Sequence, residues 1–220
     1  MKIIGHNLKQ AYMTYFEPKV IGIDKNGPSF SGTYIVTGDS LFSVPEMGMK
    51  KVPLKELSKA CNKIIGDKLG KTTPKDKNWF LNKADGSTTR DAYIDDSGEY
   101  LDGFHKDAWI LSGKKYPGDV NRSKCGQFDS GELYVINKAK KRITAQEGDL
   151  KAGDVVNVVF DVYAFDGKEA KGCTATIEGV QKWADGESLK LGVGTSGVTD
   201  DDFDSEDEFE DANGEASDLM

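Results

Sequence analysis

A few residue groupings in the chain carry types and spacings that could do chemistry. Gly192, Gly194 and Gly197 spell GxGxxG. That turn cradles a dinucleotide's phosphates only where a strand leads in and a helix leads out. No helical pattern follows here and an acidic run begins within a few residues, so 192–198 reads as a flexible glycine-rich connector. Asp200, Asp202 and Asp204 alternate as in a calcium-binding loop. The loop's sixth position is Ser205 where glycine is required, and its twelfth is Asp211 where glutamate is required, so no specific cation site is expected. Asp95 and Asp96 could seat a metal for phosphodiester hydrolysis, but in a polar stretch they read as solvated charge. His6 and His105 have no identifiable acid–base partner. Cys61, Cys125 and Cys173 are too sparse for zinc spacing or a disulfide framework. No GxSxG, Walker loop or HExxH occurs. No catalytic residue, metal or cofactor is expected, and the chain does not read as an enzyme.

Cations interleaved with rings are the better-supported chemistry. Residues 50–83 hold 10 basic and 3 acidic side chains, with Trp79 and Phe80 among them. Residues 110–145 hold 8 basic and 3 acidic, with Tyr116, Phe128 and Tyr134. Between them, residues 84–107 carry 7 acidic and 2 basic. Lysine and arginine track phosphates, while ring faces accept unstacked bases at roughly 1–3 kcal/mol each. The formal net charge of −8 hides this pattern, because residues 200–220 hold 11 acidic side chains and no Lys or Arg. Residues 1–199 then have 29 basic against 26 acidic side chains, a net +3. A mildly basic body thus carries a polyanion that repels itself and cannot fold alone. Tethered to the body, that polyanion is an internal competitor for any phosphate-binding groove.

The elements that must position these groups read as mainly β. Residues 8–23, broken at Pro18, suggest two short strands or one bent strand, and 29–37, 108–113 and 132–136 suggest others. Leu54, Leu57, Cys61, Ile64, Ile65 and Leu69 recur at helical spacing, predicting a helix over 53–69 with Pro53 at its first position and Gly70 as its stop. Residues 70–107 read as a long polar loop. Residues 154–165 and 171–183 form the strongest pattern: strands around a turn that begins Asp166-Gly167. In the first, Val156, Val158, Phe160 and Val162 make one wholly apolar face, which indicates a sheet closed over a core. The expected fold is a small OB-type barrel with at least one inserted helix and long loops. It would occupy residues 1–191, with the connector at 192–198 and a disordered acidic tail at 199–220. No run approaches the length of a membrane span and the N-terminus lacks a signal-peptide pattern. A soluble protein of the cytoplasm is expected, the host's if the source is viral.

Three segments resemble the bacteriophage single-stranded-DNA-binding proteins. These are the aromatic stretch AYMTYFEP at 11–18, the amphipathic helix at 53–69 with its polar insertion, and 148–189 with Gly-Val-Gln-x-x-x-Asp-Gly-Glu at 179–187. The resemblance implies an OB fold that binds single-stranded DNA with little sequence preference during phage replication, recombination and repair. It also implies an acidic tail that competes with DNA and contacts replication proteins such as polymerase or helicase–primase. Related tails often finish on an aromatic residue. This chain ends Asp218-Leu219-Met220 with its tail rings at Phe203 and Phe209, so these two rings with Leu219 and Met220 are the expected partner contacts. The ring candidates for DNA are Phe16, Tyr34, Trp109, Tyr116 and Tyr163. The cation candidates are Lys114, Lys115, Arg122, Lys124, Lys140, Lys141 and Arg142. A homodimer is compatible with this reading. Two rivals stand beside it: an acidic-tailed, chaperone-like interaction module that does not bind DNA, and a metal-dependent nuclease.

Overall fold

A computed structural model describes residues 1–19, 28–70, 77–78, 80–84, 93–95, 97–117, 133–143, 150–166 and 171–191. The expected hairpin turn, connector and acidic tail lie outside the described residues.

Five strands close into a ring. β1 (Lys2–Met13) pairs with β2 (Phe30–Val36), β2 with β7 (Trp109–Lys115), β7 with β10 (Lys171–Ala184), β10 with β9 (Val155–Asp166), and β9 again with β1. Every pairing in the ring is antiparallel except β7–β10. A register shift between Gly5 and Leu8 bends β1, with Asn7 at a left-handed φ of 54°. The bend lets the first half of β1 pair with β3 (Leu41–Val44) and the second half with β2. β3 forms a hairpin with β4 (Met49–Val52) across a 3-10 turn at Pro45–Met47. Three short strands complete the sheet: β5 (Lys77–Asn78) and β8 (Val135–Ile136) run along β10, and β6 (Leu81–Lys83) lies on β7. The expected mainly β architecture with an inserted helix is therefore present, as a closed ring of sheet.

The β9–β10 hairpin explains why the ring closes. Val156, Val158, Phe160 and Val162 are fully buried, as their alternation predicts, facing Cys173, Ala175, Ile177 and Val180 of β10. Phe160 meets Phe80 at 5.0 Å and Tyr34 at 5.5 Å, both edge-on, the arrangement ring quadrupoles favour. The helix α1 (Leu54–Leu69) closes the core with Leu57, Ala60, Cys61 and Ile65 while its lysines stay exposed. Pro53 is its cap rather than its first residue. Gly70 ends it in a left-handed conformation, its N–H donating to the Gly66 carbonyl at 2.8 Å.

Three sequence readings need correction. β1 begins at Lys2, before the expected residue 8, because Ile3 is already in the core and Lys2–Ile4 already pair with β9; past Met13 an isolated bridge joins Lys19 to Ser29, and residues 20–23 of the expected stretch lie outside the described residues. β3 and β4 were not expected. The stretch 70–107 is not merely a polar loop: its Ala84, Tyr93 and Phe104 form a second apolar cluster with Ala11, Ile35, Ala108 and Ile110 against the outside of the ring.

A clasp fixes the C-terminal end of β10. The buried Asp154 carboxylate accepts from the Lys151 and Gly186 N–H groups at 2.9 and 3.2 Å, and Lys182 Nζ lies 3.3 Å away. Lys182 also pairs with Asp185 at 2.7 Å, which holds the Asp185 carboxyl below its usual range. Gly153 and Gly186 pack backbone to backbone, each where a Cβ would overlap the other segment. The Gly-Val-Gln-x-x-x-Asp-Gly-Glu stretch is thus a structural clasp that sets where Trp183 stands.

Candidate nucleic-acid interface

Strand alternation divides the candidate residues between the inside and the outside of the ring. On β2, Phe30 and Tyr34 belong to the main core, so Ser31 and Thr33 face outward. On β7, Leu111 is in the core and the Gly113 position abuts Ile177, so Ser112 and Lys114 face outward. On β10, the buried Cys173, Ala175 and Ile177 leave Thr174 and Thr176 outward. Register aligns these groups across strands. Thr33 stands beside Ser112, Ser31 beside Lys114, Lys114 beside Thr176, and Thr174 beside Tyr163 of β9. The outer face of β2–β7–β10 is therefore a strip of half-buried hydroxyl side chains with one lysine in it. Small side chains let a polynucleotide approach the sheet closely, and hydroxyls can donate to phosphate or base edges.

Rings stand at the margins of this strip. Tyr163 is 46% exposed. On the opposite side Tyr93 stacks on Phe104 at 4.4 Å, and Tyr12 lies 6.2 Å from Phe104. Tyr93 hydrogen-bonds Ser112, yet burial dominates and pushes its phenol up to about 12. Tyr134 lies against the outer side of Gly179, where a Cβ would meet its ring carbon at 3.5 Å.

A second basic feature sits near the far end of β10. Residues 137–142 fold back on themselves, with the Asn137 N–H donating to the Lys141 carbonyl and the Lys140 N–H to the Asn137 carbonyl. This turn displays Lys138, Lys140, Lys141 and Arg142, all exposed. Lys138 Nζ lies 4.6 Å from the centre of the Trp183 ring, and Trp183 is 40% exposed. Asn157 bonds Gln181 at 3.0 Å beside it.

The predicted residues fall into four groups. Lys114 and Tyr163 stand on the outer face, and Lys140, Lys141 and Arg142 cluster in the exposed turn. Phe16 and Trp109 are half-buried with one side on the main core, and Lys83 lies 5.6 Å over the Trp109 ring; Tyr116 is half-buried. Arg122, Lys124, Phe203, Phe209, Leu219 and Met220 lie outside the described residues. Tyr34 and Lys115 are corrections. Tyr34 is fully buried, its Oη 2.6 Å from that of Tyr15, and Tyr15 reaches Gln10 Oε1. Burial raises both phenols above their usual range. Gly32 leaves the space for this pair, so Tyr34 has no face to offer a base. Lys115 is 3% exposed and bound to Glu178 at 3.1 Å. Alternation carried both signals: Phe30, Gly32 and Tyr34 share one face, as do Leu111, Gly113 and Lys115. The same alternation would have found the hydroxyl strip. Lys138 and Trp183 were missed because their approach depends on β8 lying beside β10.

The family model of the Enterobacter phage Enc34 ssDNA-binding protein matches residues 1–213. The chain belongs to this family. A phage relative, protein p50 of Acyrthosiphon pisum secondary endosymbiont phage 1, is 28% identical over 203 residues, covering 92% of this chain and 93% of that protein. Among solved structures, the single-stranded DNA-binding protein from bacteriophage Enc34 superposes with a TM-score of 0.54 at 16% identity, covering 91% of this chain and 88% of that one. The same phage protein in complex with ssDNA gives a TM-score of 0.55 at 16% identity, covering 85% and 88%. These likenesses establish a shared fold. Among the described residues, no three His, Cys, Asp or Glu side chains gather as a metal site, and no helix is long and apolar enough to cross a membrane.

Proposed function

We propose that this family member binds single-stranded DNA, with little sequence preference, on the outer face of β2–β7–β10. The family match over residues 1–213 carries this reading, and the ssDNA complex of the phage Enc34 protein supports it. The face suits such a ligand. Hydroxyls and Lys114 hold a backbone while the exposed Tyr163 ring flanks it. Nothing in a strip of Ser and Thr reads the edges of one base over another, so affinity comes from phosphate charge and stacking.

In this reading the protein is non-enzymatic and serves phage DNA replication and recombination in the host cytoplasm. The tail at 199–220 competes with DNA from within the chain, at an effective concentration on the order of mM, and contacts replication proteins once DNA displaces it.

Titrating the full chain and a chain lacking 199–220 with single- and double-stranded oligonucleotides tests this. Single strands should bind tighter than duplex, with a log–log salt slope of about −0.7 per neutralised phosphate. The shortened chain should bind tighter still at low salt. A shortened chain that ignores single strands would sink the reading and favour an interaction module.

A further inference from the structure

We infer that Trp183 and the basic turn at 138–142 form a second, separate contact for the same strand, engaged only by longer polynucleotides. The inference rests on the proposed DNA-binding reading and adds a site to it.

Three observations carry it. The first is direction. Lys182 turns inward to the buried Asp154, so its neighbour Trp183 points out of the ring, and a register shift between Ile177 and Gly179 puts it on the side that bears Thr174, Thr176 and Gln181. The second is the state of the indole. Lys138 covers it at 4.6 Å, yet 40% of Trp183 remains exposed. A ring gripped by a cation on one side and open to solvent on the other is a base-stacking platform with a phosphate-binding charge beside it. The third is charge. Lys138, Lys140, Lys141 and Arg142 fall within five residues of one tight turn. The two acidic side chains that meet Lys182 are engaged: Asp154 is buried by the clasp and Asp185 is paired with Lys182.

Spacing makes the contact length-dependent. From Thr174, beside Tyr163, to Trp183 is nine residues of β10, a contour of roughly 30 Å at 3.3 Å per residue. Tyr134 over Gly179 stands between them. At the ~3.4 Å per nucleotide of a duplex strand that contour takes about nine nucleotides, and fewer when the strand is stretched. This lies within the ~4–16 nucleotides that an OB-type module occupies. A strand of four or five nucleotides reaches one contact; a strand of twelve or more reaches both.

The test compares oligothymidylates of 5 and 15 nucleotides on the full chain. Trp183→Ala should weaken the 15-mer roughly 5- to 150-fold, the range one stacked base supplies, and leave the 5-mer within about twofold. Lys140→Glu with Lys141→Glu, in an exposed turn that the core does not need, should lower the salt slope for the 15-mer by at least ~1.4 and leave that for the 5-mer unchanged. The 15-mer should also quench a fluorescence component that Trp183→Phe abolishes. Equal losses on both lengths would assign Trp183 to the fold or to the first contact, and no loss on either would remove it from binding; both overturn the inference. Failure of the unaltered chain to bind either oligonucleotide would instead overturn the DNA-binding reading itself.

Discussion

Lys114 and Lys115 are adjacent and chemically identical, and the structure places them on opposite faces of β7. Lys114 faces outward in register with Ser31 and Thr176. Lys115 is 3% exposed and sits 3.1 Å from Glu178, itself 14% exposed. Lys115→Met keeps most of the side-chain volume and takes the Lys115 ammonium away from the Glu178 carboxylate. Stranding one member of a buried pair costs roughly 3–5 kcal/mol, and the residual exposure of Glu178 places this case near 3. For a chain this size that lowers the melting temperature by about 6–12 °C. Adding Glu178→Gln should recover much of the loss, because no buried charge then stands alone. Lys114→Ala should behave in the reverse way. One phosphate contact contributes a factor of salt concentration to the power of about −0.7, or about fivefold at 0.1 M relative to 1 M. Binding at 0.1 M should therefore fall about fivefold, the salt slope should fall by about 0.7, and the melting temperature should barely change. Calorimetry and oligonucleotide titration of the three variants separate the two roles. A stable Lys115→Met protein that binds DNA fivefold more weakly would refute the assignment of faces.

Gly186→Ala should destabilise the chain by about 3 kcal/mol or more, since its Cβ would overlap the Gly153 carbonyl; a denaturant midpoint unchanged within error would mean that the clasp is loose. Tyr163→Ala should weaken DNA binding with little change in stability, whereas Tyr34→Phe should cost about 1–2 kcal/mol through the buried Tyr15 hydroxyl and leave DNA affinity alone. The melting temperature should fall as pH rises from 10 to 12. The Tyr93 phenol is raised to about 12 in the folded chain from 10.0, so the folded state holds a proton that the unfolded state has lost. The stabilisation is complete below pH 10 and is lost through pH 12, worth about 2–3 kcal/mol for this group; Tyr93→Phe should make the fall shallower by about that amount while the buried Tyr15 and Tyr34 phenols keep the rest of it, and an unaltered profile would contradict the burial of the Tyr93 phenol.

Where burial is decided within one segment, the sequence shows it. The apolar face of β9 and the stripe of α1 follow from period two and period 3.6, because each buries one side against a single core. β3 and β4 escaped because each is four residues long and a 3-10 turn separates them, too short for a period to register. A closed barrel follows from the apolar face of β9, but its strand order does not, because β1 meets β2 and β9 through pairings spread over much of the chain. The interface was legible in part for the same reason. Lys114 and Tyr163 stand on the outside of strands that were recognised, while Tyr34 and Lys115 were assigned by type without reading which face their neighbours fill. Trp183 beside Lys138 is a contact between residues 45 positions apart, created by β8 running along β10.

The most direct test is to map, by amide chemical shifts, where a single-stranded oligonucleotide touches the chain lacking 199–220. The outer-face account predicts the largest changes at Ser31, Thr33, Ser112, Lys114, Tyr163, Thr174 and Thr176. Changes confined to α1 and the β3–β4 hairpin, with that strip silent, would contradict it.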